Sequence, residues 1–346
     1  MSAKPFDIPL IAPRLLAWYD AHARALPWRA PPGANRTDPY RVWLSEVMLQ
    51  QTTVATVRPR FEAWVARWDS VAALAAADEA EVMAAWAGLG YYARARNLHA
   101  CARAIIAEHD GRFPEEEAAL RRLPGLGDYT AAAIAAIAFG KRAVVIDSNI
   151  KRVAARLAAR PTGEVRDVVD AITPDARAGD FAQALMDLAN ALCTVRAPKC
   201  LACPLRENCA GFATGDPAAF PARKPKKERP VRHGTLFWLR RGDDVLLVRR
   251  PTKGLLGGMR ALPTGPWSEA PPDLSDAPAV ADWRMLDEGV SHGFTHFQLD
   301  LSLACATYRG QEAPDGEWWP VADLARAGLP TVFAKAAAVF GRVECA

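Results

Sequence analysis

Four cysteines, Cys193, Cys200, Cys203 and Cys209, fall in a C-x6-C-x2-C-x5-C pattern, four of the chain's seven within seventeen residues. Thiolates are soft ligands, and a tight four-thiolate loop suits either an iron–sulfur cluster or zinc. Two carboxylates stand where acid–base work could be done. Glu46 shares a helical face with Val42, Trp43 and Leu49, apolar surroundings that raise a carboxyl pKa. Asp147 follows Val144-Val145-Ile146 and precedes a helical run from Ile150 to Ala159, which equally suits a helix N-cap. Between the two lies Leu123-Pro124-Gly125-Leu126-Gly127-Asp128-Tyr129-Thr130. Its glycines allow a sharp turn and the close approach of a partner. The next helix offers free N–H groups and a positive dipole end to an anion. This L-P-G-x-G pattern predicts a helix-hairpin-helix over about 114–140. Gly125, Leu126 and Gly127 would then grip one DNA phosphate without reading sequence.

Periodicity supplies the elements that position these groups. Residues 1–215 are rich in Ala, Leu and Arg, with apolar residues at helical spacing. Breaks at Pro27, Pro39, Gly88–Gly90, Pro114, Pro124–Gly127 and Pro174 separate the segments. One helix is expected to start near Pro114 and an Ala-rich one to span 130–139. Residues 216–232 are Pro- and Lys-rich and read as a linker. Beyond it, Thr235–Leu239 and Val245–Val248 flank the turn Arg241-Gly242-Asp243, a hairpin signal. Phe297, Leu299, Leu301 and Leu303 alternate with polar residues as a half-buried strand, and Thr331–Phe340 reads as a helix. The chain therefore divides into an all-helical domain (1–215), a linker (216–232) and a smaller α+β domain (233–346).

Composition excludes several classes. The 346 residues are 51% hydrophobic and 24% charged, which is neither disordered nor membrane-like. The longest apolar run, Ala131–Phe139, stops at Gly140, well short of the roughly 18 residues a membrane span needs. Met1-Ser2-Ala3-Lys4-Pro5 lacks the apolar core of a secretory signal, so a cytoplasmic protein is expected. An odd number of cysteines without an export signal disfavours a disulfide framework, and Cys101, Cys305 and Cys345 read as ordinary thiols. The net charge is +4, and residues 221–232 alone hold six basic residues against Glu228, so the excess is local. Such a segment is either a solvated linker or an electrostatic footprint on nucleic acid.

Several long strings in one order carry a resemblance. They are Leu26-Pro27-Trp28-Arg29, PYRVWLSEVMLQQTTVATV (39–57), GLGYYARARNLH (88–99), LPGLGDYTAAAIAAIAFG (123–140) and the four-cysteine loop. With them the chain resembles the adenine DNA glycosylases of the MutY family, within the endonuclease III-like superfamily. The resemblance implies an all-α helix-hairpin-helix glycosylase domain with a [4Fe–4S] loop at 193–209, followed by a small Nudix/MutT-like domain. It prefers the cluster over zinc at the four cysteines. RPTKGLLGGM (250–259) and Phe294-Thr295-His296 carry the likeness in the C-terminal domain. The Nudix box is absent there, so nucleotide hydrolysis is not expected.

The implied reaction is removal of adenine mispaired with 8-oxoguanine or guanine in double-stranded DNA, by a monomer associated with the nucleoid. Adenine leaves poorly as an anion, so its N-glycosidic bond calls for protonation of the base and stabilisation of an oxocarbenium-like sugar. Glu46 would be the general acid at N7, and Asp147 would stabilise the sugar cation, with Tyr129 and Asn149 beside it. Endonuclease III relatives carry a sugar-attacking lysine where Tyr129 stands. A phenol cannot form a Schiff base, which implies a monofunctional enzyme. The target base must leave the stack. By resemblance Gln51 and Tyr91 wedge into the gap, Trp28, Arg29 and Gln183 line the adenine pocket, and Thr295 and His296 read 8-oxoguanine.

Three positions depart from the family pattern. Ser148 replaces a usual Gly between the catalytic Asp and Asn, Ala189-Asn190 replaces Gly-Ala, and Thr295 replaces Ser. Ser148 would matter if that Gly needed positive φ. The rival readings are a mismatch glycosylase with another base specificity and a non-catalytic iron–sulfur DNA-binding protein.

Overall fold

The computed structural model describes residues 6–34, 37–222, 228–251, 254–311 and 314–343. Residues 223–227 of the basic linker, Thr252 and Lys253 of the 250–259 string, and Cys345 lie outside the described residues. Contacts divide the chain into two compact units, Met1–Ala77 with Asn97–Pro225, and Asp78–Arg96 with Lys226–Ala346. Residues 78–96, placed in the helical domain by sequence, thus cluster with the C-terminal unit.

The helices run α1 (Ile8–His22), α2 (Pro39–Leu49), α3 (Val54–Arg67), α4 (Val71–Ala76), α5 (Glu79–Ala85) and α6 (Ala93–His109). They continue through α7 (Glu117–Leu120), α8 (Asp128–Phe139), α9 (Ser148–Leu157), α10 (Arg166–Ile172), α11 (Ala178–Ala191) and α12 (Ala210–Ala213). In the first unit α8 is the centre. Every residue from Thr130 to Ala138 is buried, as a helix apolar all round requires. Its alanines let neighbours come close: a Cβ on Gly179 of α11 would stand 2.4 Å from the Ala136 carbonyl oxygen. Gly140 ends α8 in the left-handed region, φ +67°, and Lys141 N–H bonds back to Ala135 O at 3.0 Å. The helix before the hairpin is only the short α7, because Pro114–Glu116 is not helical and helical bonding begins at Glu116. The helix expected from Ile150 starts at Ser148 with Asp147 as its N-cap.

The second unit is built on a sheet of strands β1 (Val231–Arg241), β2 (Asp244–Arg249), β3 (Arg260–Ala261), β4 (Arg284–Met285), β5 (Val290–Gly293), β6 (Gln298–Thr307) and β7 (Glu317–Pro320). Their order is β3-β2-β1-β6-β4, with β5 also on β6 and β7 on β2. The expected hairpin is β1–β2, turning at Gly242 (φ +59°). Long β1 and β6 run parallel, Val231 opposite Gln298 through Arg240 opposite Thr307. Leu299, Leu301 and Leu303 of β6 face a core with Leu236, Trp238 and Phe333, the last on helix α13 (Thr331–Phe340). Cys305, expected as an ordinary thiol, is disulfide-bonded instead. Cys101 is a buried free thiol. Among the described residues no helix is long and apolar enough to cross a membrane.

Candidate active site

Asp38 caps α2, its carboxylate accepting from Tyr40 N–H at 2.9 Å, and Pro39 opens the helix. The buried face of α2 carries Val42, Trp43, Leu44 and Met48 inward, and Glu46 goes in with them, 8% exposed. Its carboxyl accepts a 2.6 Å hydrogen bond from the hydroxyl of Tyr129, at the start of α8. Burial pushes the Glu46 carboxyl above the usual range. Tyr129 and Arg29 oppose that push, and Asp147 adds to it. Burial and the neighbouring Glu46 raise the Tyr129 phenol well above its ordinary value. A neutral phenol donating to a carboxyl that prefers its proton is an arrangement for delivering a proton.

Asp147 is the N-cap of α9, accepting from Ile150 N–H at 2.6 Å and from the Asn149 amide at 2.9 Å. Ser148 has ordinary helical backbone and an exposed side chain, and it is not among the residues at positive φ. Asn149 accepts in turn from Arg152 at 3.2 Å, and Arg152 donates to the Cys193 carbonyl at 2.9 Å. One turn further, buried Arg156 donates to the carbonyls of Cys193, Thr194 and Val195 and to Cys193 Sγ at 3.3 Å. One helix thus holds Asp147 at its start and the cysteine loop along its side.

The four loop cysteines are free and line a single pocket with Val153, Leu157, Leu188, Leu192, Leu205 and Phe212. Burial pushes the Cys203 thiol up to about 12 and Cys209 up to about 11. A metal there would have to displace those protons. Among the described residues no group of three or more His, Cys, Asp or Glu is arranged to hold a metal ion.

The remaining sequence-derived residues fall into separate places. Arg29 is 7% exposed and bonds Asp187 of α11 at 2.7 Å. Trp28 is buried edge-on against Phe61, with ring centroids 5.1 Å apart. Gln183 is buried on α11 and lines a pocket with Ala30, Gly33 and Asp180. At the hairpin, Gly125 has φ +76° and a Cβ there would meet Asn97 Cβ at 2.6 Å, so the fold itself demands glycine. Gly127 faces open space, and Leu126 is buried beneath the turn. Gln51 and Tyr91 are both exposed and both have left-handed backbone, φ +59° and +48°. In the second unit the Tyr91 hydroxyl lies 3.0 Å from Thr295 Oγ1. Thr295 and His296 occupy the exposed β5–β6 turn, closed by Phe294 N–H to Phe297 O at 2.9 Å. Sequence reasoning missed Asp187. The only signal was one acid in the largely apolar stretch Phe181–Leu192, which also holds Gln183 and Asn190.

The fold and this site define a helix-hairpin-helix base excision repair protein with an appended Nudix domain. A model of the HhH-GPD superfamily base excision DNA repair proteins matches residues 44–172, and a NUDIX domain model matches 235–338. An adenine DNA glycosylase of Mycolicibacterium smegmatis is 42% identical over 68% of this chain and 82% of its own length. The Homo sapiens adenine DNA glycosylase is 32% identical over 94% of this chain and 73% of its own. A thermostable thymine-DNA glycosylase structure superposes with TM-score 0.53 at 26% identity, covering 60% of this chain and 96% of that one. An endonuclease III–DNA complex shares the fold at TM-score 0.51 and 22% identity over 60% of this chain and 96% of that one. The chain belongs to the adenine DNA glycosylase family.

Two stability predictions follow from this geometry. Burial raises the Glu46 carboxyl in the folded state, so the wild type loses stability as pH rises through that raised value. Glu46→Gln does not, and its melting temperature should exceed wild type in alkaline buffer. The gain should vanish as pH falls below the carboxyl's unfolded value, which melts across that range would check. Gln51 occupies a position just past the end of α2 where glycine is favoured. Gln51→Gly should raise unfolding free energy by about 1 kcal/mol, measured by denaturant titration.

Proposed function

We propose that the chain excises adenine mispaired with 8-oxoguanine or guanine from double-stranded DNA by hydrolysing the N-glycosidic bond, and that it does not cut the strand. The reading is carried by the 2.6 Å bond between Tyr129 and a buried Glu46 that burial holds toward its protonated form. Tyr129 engages one oxygen of Glu46, leaving the other for the base. Glu46 donates its proton to N7 while the C1′–N9 bond breaks with its electron pair going to adenine. The sugar left behind carries positive charge, which the Asp147 carboxylate stabilises from a position fixed by Asn149 and Ile150 N–H. Water adds at C1′ and its proton returns to Glu46, giving free adenine and an abasic site. No amine stands where Tyr129 is, so no Schiff base forms.

Gln51 and Tyr91 are the residues we assign to the gap left by the flipped base. Backbone held in a costly conformation at both exposed positions supports this reading. Trp28, Arg29 and Gln183 are assigned to the adenine pocket, and Thr295 with His296 to 8-oxoguanine. The Tyr91–Thr295 hydrogen bond supports the last assignment, because it sets a wedging ring beside a lesion reader. Gly125, Leu126 and Gly127 would present the α8 N-terminus to a phosphate, and the open space at Gly127 leaves room for one.

Cys193, Cys200, Cys203 and Cys209 would hold a [4Fe–4S] cluster, which ties the loop together through four iron–thiolate bonds. Zinc draws four sulfurs to about 2.3 Å of one centre, whereas a cluster gives each thiolate its own iron. Four free thiols around one pocket suit either group, and membership of the adenine DNA glycosylase family favours the cluster. The purified protein should contain about four irons per chain, and Cys200→Ser should lose most of them, by iron assay. We further assign 1–215 to catalysis, 216–232 to a basic linker and 233–346 to lesion recognition, in a monomer acting at the nucleoid.

The deciding experiment is single-turnover base release from duplexes carrying adenine opposite 8-oxoguanine, guanine or thymine, with a G:T duplex alongside. Adenine should be released at the first two, with strand breaks only after alkali. Glu46→Gln should bind the lesion duplex and release nothing. Thymine release would favour a different mismatch specificity, and binding without any release a non-catalytic role.

A further inference from the structure

Asp187 lies in the middle of α11 at 2% exposure, a setting where a carboxylate is costly unless paired. It is paired twice. Arg24 donates to it through Nε at 2.5 Å and through its backbone N–H at 3.2 Å, and Arg29 donates at 2.7 Å. The two guanidiniums differ in what else can neutralise them. The Arg24 side chain is 37% exposed and reaches water, whereas Arg29 is 7% exposed. Arg29 is therefore a buried cation whose charge is balanced by Asp187, and it lies close enough to act on Glu46 and Tyr129.

We propose that Asp187 is a positioning residue for base excision: it fixes the Arg29 guanidinium beside the Glu46 site and screens its charge, so that Glu46 keeps its proton until the base takes it. The inference rests on the reading of Glu46 as general acid. The groups acting on Glu46 are Tyr129 from α8, Arg29 from the loop after α1 and Asp147 from the start of α9. Of these, Arg29 is the one whose charge a residue remote from the base controls. Without Asp187 its uncompensated positive charge would favour the Glu46 carboxylate. Without Arg29 the carboxyl would hold its proton to higher pH.

The test is the pH profile of single-turnover adenine release opposite 8-oxoguanine, read as the position of its alkaline limb rather than its height. Asp187→Asn should move the limb down by about one pH unit, and Asp187→Glu should leave it in place. Arg29→Gln should move it up, and the double variant should follow Arg29→Gln. Loosened packing alone would lower the rate at every pH without moving the limb. An unmoved or raised limb in folded Asp187→Asn, or an unmoved limb in Arg29→Gln, overturns the proposal. Should Asp187→Asn fail to fold, the Arg29→Gln arm decides. Glu46→Gln separates the two layers: if it still releases adenine, the general-acid reading falls. If it is inactive while the other limbs stay put, only the role of Asp187 falls.

Discussion

A carboxyl taken out of water favours its proton, and the packing of the first unit around Glu46 imposes that constraint. Glu46 is buried by the apolar face of its own helix and by the start of α8, whose alanines permit α2 and α11 to pack closely on it. Burial alone would give an inert neutral acid. The environment is instead divided, with Tyr129 and Arg29 favouring the charged form and Asp147 opposing it. An acid balanced in this way can give up its proton and regain it, which a purely apolar pocket would not allow.

Asp147 is placed by a different device. It is a helix cap, and its orientation is that of α9. Arg152 and Arg156 fasten α9 to the carbonyls of the cysteine loop, so the loop anchors the helix that carries the second carboxylate. An N-cap and a carboxylate available for chemistry are therefore not competing descriptions of Asp147. The cap bond from Ile150 N–H and the amide of Asn149 fix the orientation of the carboxylate.

What was legible in the sequence is what local pattern encodes. Apolar residues at helical spacing around Glu46 marked its burial, alternation marked β6, and the cysteine spacing marked the loop. The start of α7 was misplaced because a proline permits a helix without fixing where bonding begins. The pairing of Asp187 with Arg24 and Arg29 was invisible because the partners are about 160 residues apart and no local period links them. The same holds for Tyr91 and Thr295, separated by 204 positions. The disulfide at Cys305 escaped a rule drawn from cysteine number and compartment.

Ser148 shows how a departure from a family pattern is to be weighed. A glycine between the two polar residues would suggest a strained backbone beside the reaction centre. Here Ser148 begins α9 with unstrained backbone and an exposed side chain, so the turn does not need glycine. Gln51 and Tyr91, by contrast, are ordinary L-residues in left-handed backbone that glycine would take at less cost. Glycine is dispensable at 148 because the backbone is ordinary. At 51 and 91 the backbone is left-handed, so a side chain there costs stability that glycine would not.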